Sequence, residues 1–117
     1  MPRDARAYLV DIIDACEAIT AAISGLDLES YRNNRLVRSS IEREFIIIGE
    51  AISALSHRSP GLFDEIGRAR RIIDFRNQLT HEYPNVVDSI VWAIADRDVP
   101  ILCEECRSLM SGFEVDD

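Results

Sequence analysis

The sequence predicts an all-α fold, a bundle of four to five helices with short and mostly antiparallel connections. Three observations carry this expectation. Apolar residues recur at three- and four-residue steps along most of the 117-residue chain, no stretch alternates convincingly with period two, and glycine, proline and asparagine punctuate the pattern where helices should end. The length allows one hydrophobic core, so a single domain is expected over residues 1–111, followed by a frayed acidic tail at 112–117.

The first helix runs from Asp4 to about Ser24, with Leu9, Ile12, Ile13, Cys16, Ile19 and Ile23 on its apolar face and Gly25 as its stop. The second spans about Tyr31 to His57. Ile41, Phe45, Ile48, Ile52 and Leu55 alternate four- and three-residue steps there, the spacing of a packed seam, and Ser59-Pro60-Gly61 breaks it. A third runs from about Gly61 to Thr80, with a kink or break near Gly67. Pro84 disfavours helical geometry at Tyr83, so the chain should leave this helix around His81 to Tyr83. Asn85 then suits the N-cap of a fourth helix, with Asp88 at its third position and Val87, Ile90, Val91 and Ile94 as its apolar residues. Asp98-Val99-Pro100 either kinks this helix or starts a fifth with Asp98 as its cap.

Composition narrows the function classes. With 47% hydrophobic and 29% charged residues the chain reads as soluble and globular, it holds no apolar run long enough to span a bilayer, and its first residues lack the apolar stretch of a signal peptide. A cytoplasmic protein without a membrane role is expected. Three cysteines fit a reducing compartment. Cys103 and Cys106 form a CxxC without a second Cys or His pair, so they read as core or surface thiols, and neither metal nor cofactor is expected.

The net charge of −8 counts against a broad nucleic-acid footprint. All 13 basic residues are nonetheless arginine, and Arg68, Arg70, Arg71 and Arg76 fall within nine positions. Arginine makes bidentate phosphate contacts that lysine cannot, so a small anion site can exist on an acidic protein. For Arg68 and Arg70 alone, a solvated helix face is the simpler reading.

The stretch RNQLTHEYP, residues 76–84, concentrates the polar chemistry. Arg76 shares a helical stripe with Ile72, Phe75 and Leu79, so its guanidinium must snorkel, pair or line a wet cleft; Glu50 and Asp74 are the candidate partners. His81 lies well off the direction of Arg76 on an ideal helix. Convergence therefore needs the helix to end there, or a second copy to bring its own motif opposite. Asn77, four residues before His81, can orient its ring. Arginine, histidine and a polar orienter suit metal-independent RNA cleavage, in which the 2′-hydroxyl attacks, histidine moves the proton and arginine stabilises charge on the phosphate oxygens. One histidine serves poorly as both base and acid, and a symmetric dimer would supply two.

Arg76-Asn77, then His81-x-Tyr83, resembles the RxxxxHxY motif of the HEPN superfamily, in particular the HepT-like toxins paired with minimal nucleotidyltransferase antitoxins. IIIGEAISAL (46–55) is similar to that family's second-helix signature around Gly49-Glu50-Ala51. VVDSIVWAIADRDVPIL (86–102) is similar to its VDxxxVWxIxxxDLPxL segment, with Val99 where leucine is usual. The resemblance implies a HEPN bundle that forms a homodimer with both motifs facing a shared cleft. It implies Arg76 and His81 as the ribonuclease pair acting on messenger or transfer RNA, with no DNA substrate expected, and Asn77 as a polar supporter. It implies Tyr83 as the hydroxyl that a cognate nucleotidyltransferase modifies with AMP, in a type VII-like toxin–antitoxin pair.

Simpler readings stand beside these. Tyr83 can be a buried or interface tyrosine, His57 a partner of the second helix's C-terminal dipole, Glu50 a carboxylate holding Arg76, and Trp92 core or dimer interface. An alternative function is a non-catalytic HEPN partner of the nucleotidyltransferase that binds nucleotide or RNA without cutting it.

Overall fold

A computed structural model describes residues 4–81 and 87–115, with only the backbone described at 80, 81, 114 and 115. Every regular element among the described residues is a helix, which is the expected all-α architecture. Helix α1 (Ala5–Ile23) opens on Asp4, whose carboxylate accepts the Arg6 backbone N–H at 2.8 Å. It closes at Gly25, whose φ of 79° lies in the left-handed region where glycine pays no steric penalty.

The second expected helix begins later than Tyr31. Asp27 and Ser30 exchange side-chain and backbone hydrogen bonds in a capping box that starts a separate short helix, α2 (Leu28–Arg32), and Tyr31 belongs to it. Asn34 then caps α3 (Arg35–Arg58) by accepting the Val37 N–H at 3.1 Å. The side-chain amide offers the backbone an alternative to continuing the helix, which is why the chain restarts there.

The expected break near Gly67 divides the third helix into α4 (Pro60–Asp64) and α5 (Ala69–His81). At the break the Gly67 N–H donates to Glu105 Oε2 at 2.7 Å. A Cβ at Gly67 would lie 2.9 Å from that same oxygen, so a larger residue there would make the Glu105 carboxylate shift.

Helix α6 (Asp88–Ala93) starts with Asp88 as its first residue and Val87 at its N-cap, so Asp88 does not occupy the expected third position; Asn85 lies outside the described residues. Of the two expectations for Asp98-Val99-Pro100, a kink or a fifth helix capped by Asp98, the second fails: Asp98 lies within helical turns and caps nothing. A π turn (Ile94–Asp98) joins α6 to α7 (Val99–Val115), closed by the Val99 N–H bonding to the Ile94 carbonyl. Proline lacks an N–H and its ring crowds the carbonyl four residues back, and a widened turn just before Pro100 relieves both demands without ending the helix.

The core is built on α1 against α3, with α7 and α5 packed on that pair. Leu9, Ile12, Cys16 and Ile19 of α1 meet Ile41, Phe45, Ile48, Ile52 and Leu55 of α3, while Leu102 and Cys106 of α7 and Ile72 of α5 complete the interior. Phe45 and Phe75 lock α3 to α5 edge-to-face, with ring centroids 4.9 Å apart. Trp92, read from sequence as core or interface, is half-buried and tilted against the buried Tyr31 at 5.6 Å. No helix among the described residues is long and apolar enough to cross a membrane.

Candidate active site between α3 and α5

Helices α3 and α5 run antiparallel, which brings Arg76 alongside Gly49 and Leu79 alongside Ile46. The position of Arg76 depends on this pairing. An ideal Cβ built on Gly49 would fall 2.4 Å from Arg76 Cγ and 2.6 Å from Arg76 Cβ, far inside carbon–carbon contact. Glycine in a helix interior costs about 1 kcal/mol relative to alanine. Here it provides a seat on which the aliphatic stem of Arg76 lies flat against the α3 backbone.

With the stem fixed, the guanidinium head is directed to two polar groups. Nη2 lies 3.7 Å from Glu50 Oε1, and Nη1 donates to Asn77 Oδ1 at 3.2 Å. Glu50 is largely exposed and Arg76 is 29% exposed, so the ion pair sits near the surface of the groove. Exposed pairs contribute little stability, about 0–1 kcal/mol. Their effect here is to orient a planar cation. The sequence named Glu50, Asn77 and Arg76 as candidates, and the structure brings these three together. It missed the steric role of Gly49, although an isolated glycine inside a strong helical pattern is a signal of close approach.

His81 is the last residue of α5 as described; its side chain, Tyr83 entirely, and with them the expected departure of the chain from the helix around His81 to Tyr83, lie outside the described residues. The proposed orientation of the His81 ring by Asn77 falls outside them as well.

The other arginines of this region are committed elsewhere. Asp98, in the π turn, is buried and lies between Arg71 Nε at 3.0 Å and Arg68 Nε at 3.7 Å. Arg70 stacks over the Phe63 ring at 5.6 Å. The four clustered arginines therefore do not form one anion site, because three of them pin the start of α5 and the turn before it to their neighbours.

The three thiols are interior. Burial pushes Cys16, Cys103 and Cys106 up from the ordinary thiol value, Cys106 to about 12. The CxxC is thus part of the α1–α7 packing, the core alternative of the two left open by the sequence.

Fold and site together define a class: a helical module that offers one seated arginine, flanked by a carboxylate and an amide, in a groove between two antiparallel helices. The chain belongs to the Ribonuclease HepT-like family, which matches residues 12–109. It is similar to two Methanocaldococcus jannaschii proteins, each named "Putative RNase". One is 27% identical over 88% of this chain and 94% of the relative, the other 24% identical over 98% and 94%. A Caldanaerobacter subterraneus protein of the same description is 25% identical over 90% of this chain and 93% of its own. No solved structure matches the chain.

Proposed function

We propose that this protein is an endoribonuclease that cleaves RNA without a metal, using Arg76 and His81. The observation that supports this best is the seat of Arg76: its stem is confined by Gly49 and its head held between Glu50 and Asn77, five residues before His81. Such preorganisation is what stabilising a phosphorane-like charge requires, since a donor already in place pays no reorganisation during the reaction.

The 2′-hydroxyl of RNA attacks the adjacent phosphorus, passing its proton to His81. The bond from phosphorus to the 5′-oxygen breaks, giving a 2′,3′-cyclic phosphate and a 5′-hydroxyl. Protonating the departing oxygen calls for a second acid, which His81 of the partner subunit would supply in a homodimer. Arg76 offers its planar fork to the non-bridging oxygens. Tyr83, two residues past His81, would carry AMP from a cognate minimal nucleotidyltransferase, and the added negative charge would repel RNA from the groove.

Incubating the purified protein with total bacterial RNA in EDTA tests this. Cleavage by wild type but not by His81→Ala, leaving cyclic-phosphate ends, is expected; equal cleavage by both would remove His81 from the reaction. Tyr83→Phe should keep its fold and lose AMP transfer, read by mass spectrometry.

A second reading, a nucleotide- or RNA-binding partner of the transferase that does not cut, is favoured by one observation. The net charge is −8, and three of the four arginines near the site are engaged with Asp98 and Phe63. No cleavage by folded, unmodified wild type would select it.

A further inference from the structure

The α3 stripe that seats Arg76 continues away from it. Ser39, Glu42, Arg43 and Ile46 occupy successive turns of the same face that carries Gly49 and Glu50, and with Leu79 of α5 they line an open groove of about 310 Å³. That volume lies at the lower end of small-molecule sites, about 300–1,000 Å³, and suits a single nucleotide rather than a larger cofactor. Leu79 is three residues beyond Arg76, about 4.5 Å along the helix, so the groove begins where the seat of Arg76 ends.

The lining is mixed in a particular way. Ile46 and Leu79 give an apolar surface on which a flat ring can lie. Glu42 is half-buried, yet makes no hydrogen bond or ion pair among the described residues. Burial, and next the Asp88 carboxylate, raise its carboxyl above the ordinary range, with Arg38 acting the other way. A desolvated carboxylate without a donor carries a cost that a ligand with N–H groups would relieve. Arg43 is exposed at the rim and has no ion pair among the described residues, unlike Arg68, Arg71 and Arg76.

Building on the ribonuclease reading, we propose that this groove holds the base of a nucleotide next to the scissile phosphate and that Glu42 selects guanine there. The Watson–Crick edge of guanine presents two adjacent donors, N1–H and the N2 amino group, which match the two oxygens of a carboxylate. Adenine and cytosine each offer one amino donor beside a ring acceptor, and uracil places carbonyl oxygens on both sides of its single N–H. Ile46 and Leu79 contact the ring face, and Arg43 holds the phosphate of that nucleotide. Glu42 and Arg43 thus divide the work, the carboxylate reading the base and the guanidinium binding whatever base is present.

The test is a nuclear magnetic resonance titration of the full chain with guanosine, adenosine, cytidine and uridine 5′-monophosphates, run beside sequencing of the fragments cut from a random RNA pool. Wild type should bind the guanosine nucleotide about tenfold more tightly than the others, with shifts at Ser39, Glu42, Arg43, Ile46 and Leu79, and should enrich guanine beside the cut. Glu42→Gln should bring the four affinities within about threefold of one another and erase the enrichment from whatever cuts remain. Arg43→Ala should weaken all four nucleotides alike. Equal affinity for the four in wild type, shifts outside the groove, or a preference that survives Glu42→Gln would overturn the proposal. Guanosine selectivity without RNA cleavage would instead remove the ribonuclease reading and leave the groove as a nucleotide site.

Discussion

Replacing Gly49 with alanine sets two opposing terms against each other, and their sizes follow from the structure. Position 49 is deep inside α3, where alanine is favoured over glycine by about 1 kcal/mol. The new methyl, however, would lie 2.4 Å from Arg76 Cγ and 2.6 Å from Arg76 Cβ. The second of these atoms cannot rotate away, because it is fixed to the α5 backbone. Restoring an ordinary carbon–carbon contact of about 3.5 Å requires α3 and α5 to separate locally by about 1 Å. The Phe45–Phe75 contact resists that separation. Overpacking of this kind costs about 1–3 kcal/mol, so Gly49→Ala should lower stability by about 0–2 kcal/mol in urea unfolding. Gly61→Ala is the control: its Cβ would meet nothing within 4 Å, and it should be neutral or stabilising. The larger consequence falls on function, since displacing a positioned group by about 1 Å can cost about 100-fold in rate. Gly49→Ala protein that is about 1 kcal/mol more stable than wild type and cleaves RNA at the wild-type rate would refute the seat.

Two further outcomes follow from the packing. Asp98→Asn removes the carboxylate shared by Arg68 and Arg71, and because both arginines remain partly hydrated the loss should be about 1–3 kcal/mol by urea unfolding; an unchanged midpoint would mean the π turn holds without them. Cys106, with its thiol pushed up to about 12, should hold only about one thiolate in ten thousand at pH 8 and resist alkylation until the chain unfolds. Rapid native labelling at Cys106, read by mass spectrometry, would contradict its burial in the α1–α7 packing.

What could be read from the sequence divides by the range of the interaction. The long helices α1 and α3 were legible because their apolar periodicity is local, and Gly25 and Pro60 mark their ends by local backbone chemistry. Helix α2 was not, because five residues make less than two turns and leave no period to detect; Asp27 and Ser30 were its only trace. The π turn was hidden for a different reason. Asp98 and Pro100 are good signals for a helix start, and the widened turn that accommodates Pro100 also sets the Asp98 carboxylate against Arg68 and Arg71, 30 and 27 positions earlier in the chain, a pairing no local pattern shows. The site divides in the same way. Arg76, Asn77 and Glu50 could be nominated by residue type, whereas the seat at Gly49 exists only once α5 lies against α3.

The same accounting of arginines decides how an acidic chain could hold RNA. Of the 13 arginines, Arg68 and Arg71 are bound to Asp98, Arg70 lies on Phe63, and Arg107 bridges Glu17 and Glu104. Arg76, seated beside Glu50 and Asn77, and Arg43 lie along the groove, so contact confined to the groove should neutralise about one or two phosphates per protomer. For a single strand the slope of log affinity against log salt is about −0.7 per phosphate, which gives about −0.7 to −1.4 per protomer. Raising salt from 50 to 200 mM should then weaken binding by about 3- to 7-fold per protomer, far less than the losses of about 1,000-fold or more seen when many phosphates are contacted. Fluorescence anisotropy of labelled RNA with the His81→Ala protein measures this slope directly. Two protomers acting on one strand would reach about −2.8. A slope of −4 or steeper would mean that arginines beyond the groove also reach the RNA.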